Sequence, residues 1–253
     1  MAITITAGTW DATSGGAGQT IALPASPQAG DLHVIYEGCK PYGTVIGDLS
    51  GWTEITGTPG SNGTVASGTD VGSIVQRAWY RYWQSGDTNP TITLTGCNVG
   101  FACSHRFRPS AGKTIDTPVG TKGQDTSSGT GYSATMDTDI GITAGDAVVS
   151  YTTIAGNNST FGTQTLSATG VTFGTVSESP ATEGTTSSGN DLEASASTAL
   201  PSAGPSSAAA VVGWTLSVAQ TGISALIRIR ESAGGILPNV SDSVTVTENK
   251  VAE

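Results

Sequence analysis

The chain is short of basic residues: Lys and Arg number 10 against 20 Asp and Glu in 253 residues, a net charge of −10. Binding nucleic acid by phosphate neutralisation needs a basic face that this composition does not supply, so no nucleic-acid partner is expected. Cysteine (3) and histidine (2) are also scarce. Cys39, Cys97 and Cys103 form no C-x-x-C pair, which argues against a zinc knuckle or a thioredoxin-type centre, and no metal or cofactor is expected. Long apolar runs are missing. The longest near-continuous one, Ala208 to Trp214, falls far short of the roughly 18 to 20 residues of a spanning helix, so no membrane partner is expected. The start, Met1-Ala-Ile-Thr-Ile-Thr-Ala-Gly, lacks the basic and apolar regions of a secretory signal, and the chain is expected to be made and kept in a cytoplasm. With 36% hydrophobic and only 12% charged residues, it is not a disordered chain either.

Glycine is abundant, at 35 residues, and with Thr and Ser it punctuates many short β-rich runs. These are Ala2–Thr6, Gln19–Leu23, Asp31–Glu37, Trp52–Thr56, Val75–Trp83, Thr91–Thr95, Val99–Arg108, Tyr132–Asp137, Asp146–Ile154, Val171–Ser177, Ala209–Val218 and Gly222–Arg230. Short strands at this spacing predict an all-β, antiparallel, jelly-roll-like β-sandwich. The segments Thr121–Gly131 and Ser177–Ser207 read as long surface loops.

The two halves of the chain echo one another. Ala29-Gly-Asp-Leu-His-Val-Ile-Tyr36 matches Ala144-Gly-Asp-Ala-Val-Val-Ser-Tyr151, Gly51–Thr56 resembles Gly170–Thr175, and Phe101–Arg108 resembles Ile223–Arg230. Pseudo-repeats of about 1–120 and 121–235 within one sandwich of residues 1–235 are therefore expected, so that Leu32 and Ala147 should occupy equivalent places. Residues 236–253 carry strand-like Val244-Thr-Val246 in an acidic context and read as an extended arm that a neighbouring copy accepts as an added strand.

Catalytic signatures are missing. Ala111-Gly-Lys-Thr114 lacks the first glycine of a P-loop, with Phe107 in its place, and no serine has the G-x-S-x-G spacing. His33 and His105 lie within β patterns and read as packed core histidines. Asp31, Asp48, Asp70, Asp87, Asp137 and Asp139 neighbour turn residues and read as turn formers. The aromatic strand 75–83 puts Trp79 and Trp83 on one face and Tyr80 and Tyr82 on the other, which suits a core, a subunit interface or sugar stacking. Arg106, Arg108, Arg228 and Arg230 point away from the apolar residues of their strands, either to solvent or to acidic groups on neighbouring copies. The cysteines read as small buried hydrophobes, with a disulfide plus a leftover thiol, or a link between subunits, left open. Cys39, following its strand, is expected in a loop as the most accessible thiol and the candidate for a redox cross-link.

Taken as a set, Ala-Gly-Asp-Leu-x-Val (29–34), Gly-Trp-Thr (51–53), the aromatic strand Arg77–Trp83 and the terminal Arg-Phe-Arg-Pro (106–109) resemble β-sandwich proteins of tailed-bacteriophage structural modules. Val240-Ser-Asp-Ser-Val-Thr-Val-Thr247 likewise resembles spacer repeats of phage fibre and tail proteins. The resemblance implies a non-enzymatic accessory protein on the virion surface, such as a head decoration or a neck, tail or fibre component. Its partners would be copies of itself and other virion proteins, and there are no catalytic residues to carry over. Many relatives continue into a distal receptor- or glycan-binding domain, and direct host recognition is not expected of this chain. The alternative from another class is a carbohydrate-binding module or adhesin that stacks a surface glycan on Trp52, Trp79 or Trp83.

Overall fold

The computed structural model describes residues 2–14, 18–40, 44–62, 74–156, 160–178, 184–185 and 192–233. The arm 236–253, with Val244 and Val246, lies outside the described residues. Among the described residues there is no helix. The first half of the chain forms β1 (Thr4–Ser14), β2 (Gln19–Thr20), β3 (Leu32–Lys40), β4 (Val45–Ile46), β5 (Thr53–Glu54), β6 (Gly60–Asn62), β7 (Ile74–Tyr82), β8 (Thr91–Ile92), β9 (Leu94–Thr95), β10 (Val99–Arg108) and β11 (Lys113–Ile115). The second half forms β12 (Val119–Met136), β13 (Ala147–Ile154), β14 (Phe161–Ser167), β15 (Thr172–Phe173), β16 (Ser177–Glu178), β17 (Gly184–Thr185), β18 (Glu193–Ala199), β19 (Pro201–Ala203), β20 (Val211–Ile229) and β21 (Glu231–Ala233).

Each half builds its own antiparallel sheet. The first runs β1-β10-β3-β7-β5 and the second β12-β20-β13-β18-β16, with β6 added to β7, β17 to β18 and β14 to β20. The register is repeated as well. Leu32 stands opposite Phe107 where Ala147 stands opposite Ile229, and His33 opposite Arg106 where Val148 stands opposite Arg228. Leu32 and Ala147 thus hold equivalent positions. The Gly51–Thr56 match does not survive: Glu54 pairs opposite Trp79, a place taken in the second half by Glu178 opposite Ser197, while Thr172–Phe173 pair with β19. That match reflects a Thr/Gly-rich composition, not descent from a common strand. The ends of the two halves join in the β11–β21 ladder.

The sheets face each other across one core, to which Leu32, Val34, Tyr36 and Phe107 contribute from the first and Ala147, Val149, Tyr151, Ile227 and Ile229 from the second. At its centre the equivalent residues Tyr36 and Tyr151 stack on each other, ring centroids 4.7 Å apart and planes within 3°. Both outer faces are covered too. Ile35, Trp79 and Ala102 lie under Ile21, Ile46, Leu49, Ile92 and Leu94 on one side. On the other, Val148, Ile154 and Leu226 lie under Tyr132, Phe161, Val212 and Trp214, where the far ends of β12 and β20 pair with each other and β14 joins β20. Central strands β3, β13 and β18 are therefore buried on both faces, as near-continuous runs of apolar and small residues require.

Two expected loops are strands. Thr121–Gly131 lies inside β12, and 177–207 contains β18, Glu-Ala-Ser-Ala-Ser-Thr-Ala, buried along its whole length. In β18 the alanines Ala194 and Ala196 face the inter-sheet core, and the serines face outward with partners: the Ser150 and Ser197 hydroxyls are 2.8 Å apart, and Ser195 donates to Glu178 at 2.8 Å. Both β18 serine hydroxyls have partners, so their burial costs little.

Candidate functional site

The Ala-Gly-Asp turns are the most chemically organised part of the molecule. Gly30 (φ 90°) and Gly145 (φ 86°) adopt the left-handed backbone that a side chain disfavours, and each turn delivers a carboxylate to the start of a central strand. Asp31 accepts the Gln28 N–H at 2.8 Å, and Asp146 accepts the equivalent Thr143 N–H at 2.8 Å. Arg108 then grips Asp31 with two hydrogen bonds, Nε to Oδ1 at 2.8 Å and Nη2 to Oδ2 at 2.7 Å; Arg230 grips Asp146 in the same way at 2.7 and 2.8 Å. Arg106 lies 3.7 Å from Asp31 and donates to Ala25 O and Thr6 Oγ1, and Arg228 donates to Ile140 O and Gly141 O. Burial pushes the Asp31 carboxyl up, but the Arg108 and Gln28 hydrogen bonds and the arginine charges outweigh it and hold it below its ordinary value.

These four arginines do leave the apolar faces, as the pattern indicates, and Arg108 and Arg230 stay partly exposed at 29% and 33%. Each is engaged within its own chain. The sequence contains the signal for this pairing, because Ala-Gly-Asp and Arg-x-Arg recur together in both halves; what it does not show is that the two motifs meet.

The aromatic strand β7 is similarly inward. Trp79 is 1% exposed in the outer layer, with the Arg77 guanidinium 5.0 Å from its ring centre. Arg77 is held by Asp48 and Glu54, and Arg81 by both oxygens of Asp87 at 2.8 and 2.5 Å. Tyr80 and Tyr82 pack on the inter-sheet core, with the Tyr82 hydroxyl donating to Ile115 O at 3.0 Å. Trp83 lies 5.3 Å from His33, and Trp52 packs half-buried against the outer layer. Trp79 offers no face for a sugar to stack on. Cys39 is not in a loop: it lies inside β3 and is fully buried. Its strand runs past Glu37, where the sequence pattern ends it, and through Gly38, a close approach; a side chain there would meet Thr153 Oγ1 at 2.5 Å and the Tyr36 hydroxyl at 3.1 Å. His105 is a packed core histidine, its Nδ1 2.9 Å from the Tyr151 hydroxyl.

Two buried titratable groups on β3 set opposing pH dependences. His33 is 1% exposed and neither ring nitrogen has a hydrogen-bond partner; burial foremost, with Arg106 adding and Asp31 and Asp87 opposing, lowers its pKa to about 4. Glu37 is fully buried with neither carboxylate oxygen bonded; burial foremost, with Cys97 and Asp11 adding, holds it well above 4.5 as a neutral acid. Below pH 6.5 the unfolded chain protonates His33 while the folded one does not, so this group's stability is present above 6.5 and lost as pH falls toward 4. Glu37 works in reverse: its contribution is present below 4.5 and lost as pH rises. Each slope is about 1.4 kcal/mol per pH unit. Between pH 6.5 and 4.5 the two oppose one another, while Asp31 and Asp87, both lowered, act below 3.8. Relative to wild type, His33→Leu should gain about 2–3 kcal/mol across that fall in pH and Glu37→Gln should lose stability, read by urea unfolding at several pH values. Parallel profiles for all three proteins would contradict this.

Among the described residues no group of three or more His, Cys, Asp or Glu could hold a metal ion. Two surface depressions remain. One, of about 550 Å³, is lined by Thr44, Val45, Ile46, Val75 and Arg77 among others. The other, of about 400 Å³, lies between β1 and the second sheet, lined by Ile3, Ile5, Thr175, Ser177, Thr198, Ala199 and Leu200. Leu200, 39% exposed, is one of the few large apolar side chains in solvent. In comparison with known proteins, no family model, no curated protein and no solved structure matches the chain.

Proposed function

We propose that the protein is a non-enzymatic structural component of a bacteriophage particle, a head decoration or a neck or tail accessory. It would assemble with copies of itself and other virion proteins through strand edges and residues 236–253. The reading rests first on the resemblance of segments 29–34, 51–53, 77–83 and 106–109 to phage structural modules. All four segments contribute side chains to the ion pairs and outer layer that hold the first sheet, so they act as framework. The observation that carries an assembly role is β1. This strand of 11 residues ends the first sheet, and among the described residues it pairs on one side only, with β10. A bulge between Ala7 and Trp10 distorts its middle, leaving Thr4–Ala7 as a regular stretch whose outer side pairs with no other strand among the described residues, next to the groove of Ile3, Ile5, Ala199 and Leu200. A long edge beside an apolar strip is the geometry that accepts an added strand from another chain.

Leu200→Lys tests this directly. The substitution puts a charge at an exposed position, so it should leave the unfolding free energy within about 0.5 kcal/mol of wild type. Sedimentation velocity over a concentration series should show that it abolishes self-association. A variant that associates as the wild type does would remove the groove from the account.

A further inference from the structure

We propose that Cys39 and Cys97 form an intrachain disulfide on reaction with a low-molecular-weight disulfide such as oxidised glutathione, while Cys103 stays a free thiol. The two cysteines are distant in sequence but adjacent in the outer layer of the first sheet. Cys39 lies on β3 opposite Gly100 of β10. Cys97 sits in the turn that enters β10, just after Gly96 in the left-handed conformation (φ 77°). The Asn98 N–H donates to Lys40 O at 2.8 Å, which fixes that turn against the end of β3. Both side chains belong to one buried cluster of the outer layer. Gly100 keeps the space open: a side chain there would come within 3.3 Å of the Cys39 Cβ.

Cys103 is excluded by the pleat. It faces the inter-sheet core with Tyr36 and Phe107, and Cys39 faces the opposite side of the same sheet. The chemistry has a defined direction. The interaction between the two thiols foremost lowers Cys97 and raises Cys39, so Cys97 is the attacking sulfur. Its thiolate attacks one sulfur of the oxidant and breaks the S–S bond, and one thiol leaves. The Cys39 thiol then loses its proton to solvent and attacks the Cys97 sulfur of the mixed disulfide, releasing the second thiol. Two protein thiols are oxidised and one disulfide is reduced to two thiols. Both sulfurs are buried, so exchange proceeds through opening of the outer layer or during folding.

The full chain, refolded from denaturant in a glutathione redox buffer so that burial does not limit access, should fall from three titratable thiols to one, with a mass loss of two hydrogens. Peptide mapping should join Cys39 to Cys97, and the oxidised form should unfold at a higher temperature than the reduced one. Cys103→Ser should still form the bridge and Cys97→Ser should form none. Three thiols remaining after refolding, a bridge that includes Cys103, or disulfide-linked dimers on a non-reducing gel would each overturn the assignment. The inference does not depend on where the protein works.

Discussion

Replacing Asp31 with alanine should destabilise the protein by about 3–5 kcal/mol, the range found when one partner of a buried ion pair is removed. The Asp31 side chain is 2% exposed and answers two Arg108 N–H groups, the Gln28 backbone N–H and the charge of Arg106. Without it, Arg106, whose side chain is 9% exposed, keeps its charge with no counter-ion beside it, and the turn loses its cap. Asp146→Ala should cost a similar amount through Arg230 and the Thr143 N–H, because the second half repeats the device. Adding Arg106→Leu to Asp31→Ala should recover part of the loss, since an uncompensated buried charge costs more than an absent pair. Urea unfolding of the four proteins reads all of this; a loss below about 1 kcal/mol for either aspartate would reduce these clusters to surface decoration.

The tyrosine pair at the centre of the sandwich should be comparably sensitive. Tyr151→Ala removes a fully buried ring that stacks on Tyr36 and a hydroxyl beside His105, and should cost about 3–5 kcal/mol. Tyr36→Phe keeps the stack but removes the hydroxyl that donates to Gln76 at 2.9 Å and lies 2.6 Å from Thr153 Oγ1, and should cost about 1–3 kcal/mol because those partners remain buried. A double-mutant cycle of Tyr36→Leu and Tyr151→Leu should give a coupling of about 0.5–1.5 kcal/mol from the ring contact. Additive losses would mean that the two halves do not meet through these rings.

Much of this architecture was legible in the sequence because the carriers were strong. Val99–Arg108 and Asp146–Ile154 have apolar, β-branched runs, and β10 and β13 follow them closely. The repeat was legible from Ala-Gly-Asp and Arg-x-Arg, since turn glycines and paired charges tolerate little substitution. β18 was not: an Ala/Ser alternation has the period of a strand, but its burial depends on hydroxyl partners on β13 and β16 that no local window contains. Cys39 was misplaced for a related reason: the β-rich run ends at Glu37 in the sequence, whereas β3 continues through Gly38, which serves a contact with Thr153 from the other sheet. The arginines were oriented correctly by pleat, but their partners come from turns remote in sequence, and only the three-dimensional register brings Asp31 to Arg108.

The central claim is that this duplicated sandwich works by associating with other chains, and the molar mass in solution addresses it most directly. Light scattering after gel filtration should be run on the full chain, on a version ending at Gly235 and on Leu200→Lys. The account predicts an oligomer for the full chain and monomers for both variants, as expected if a strand from residues 236–253 of one copy lies along β1 of the next. A full chain that stays monomeric at the highest soluble concentration, or an oligomer unchanged by both alterations, would contradict it.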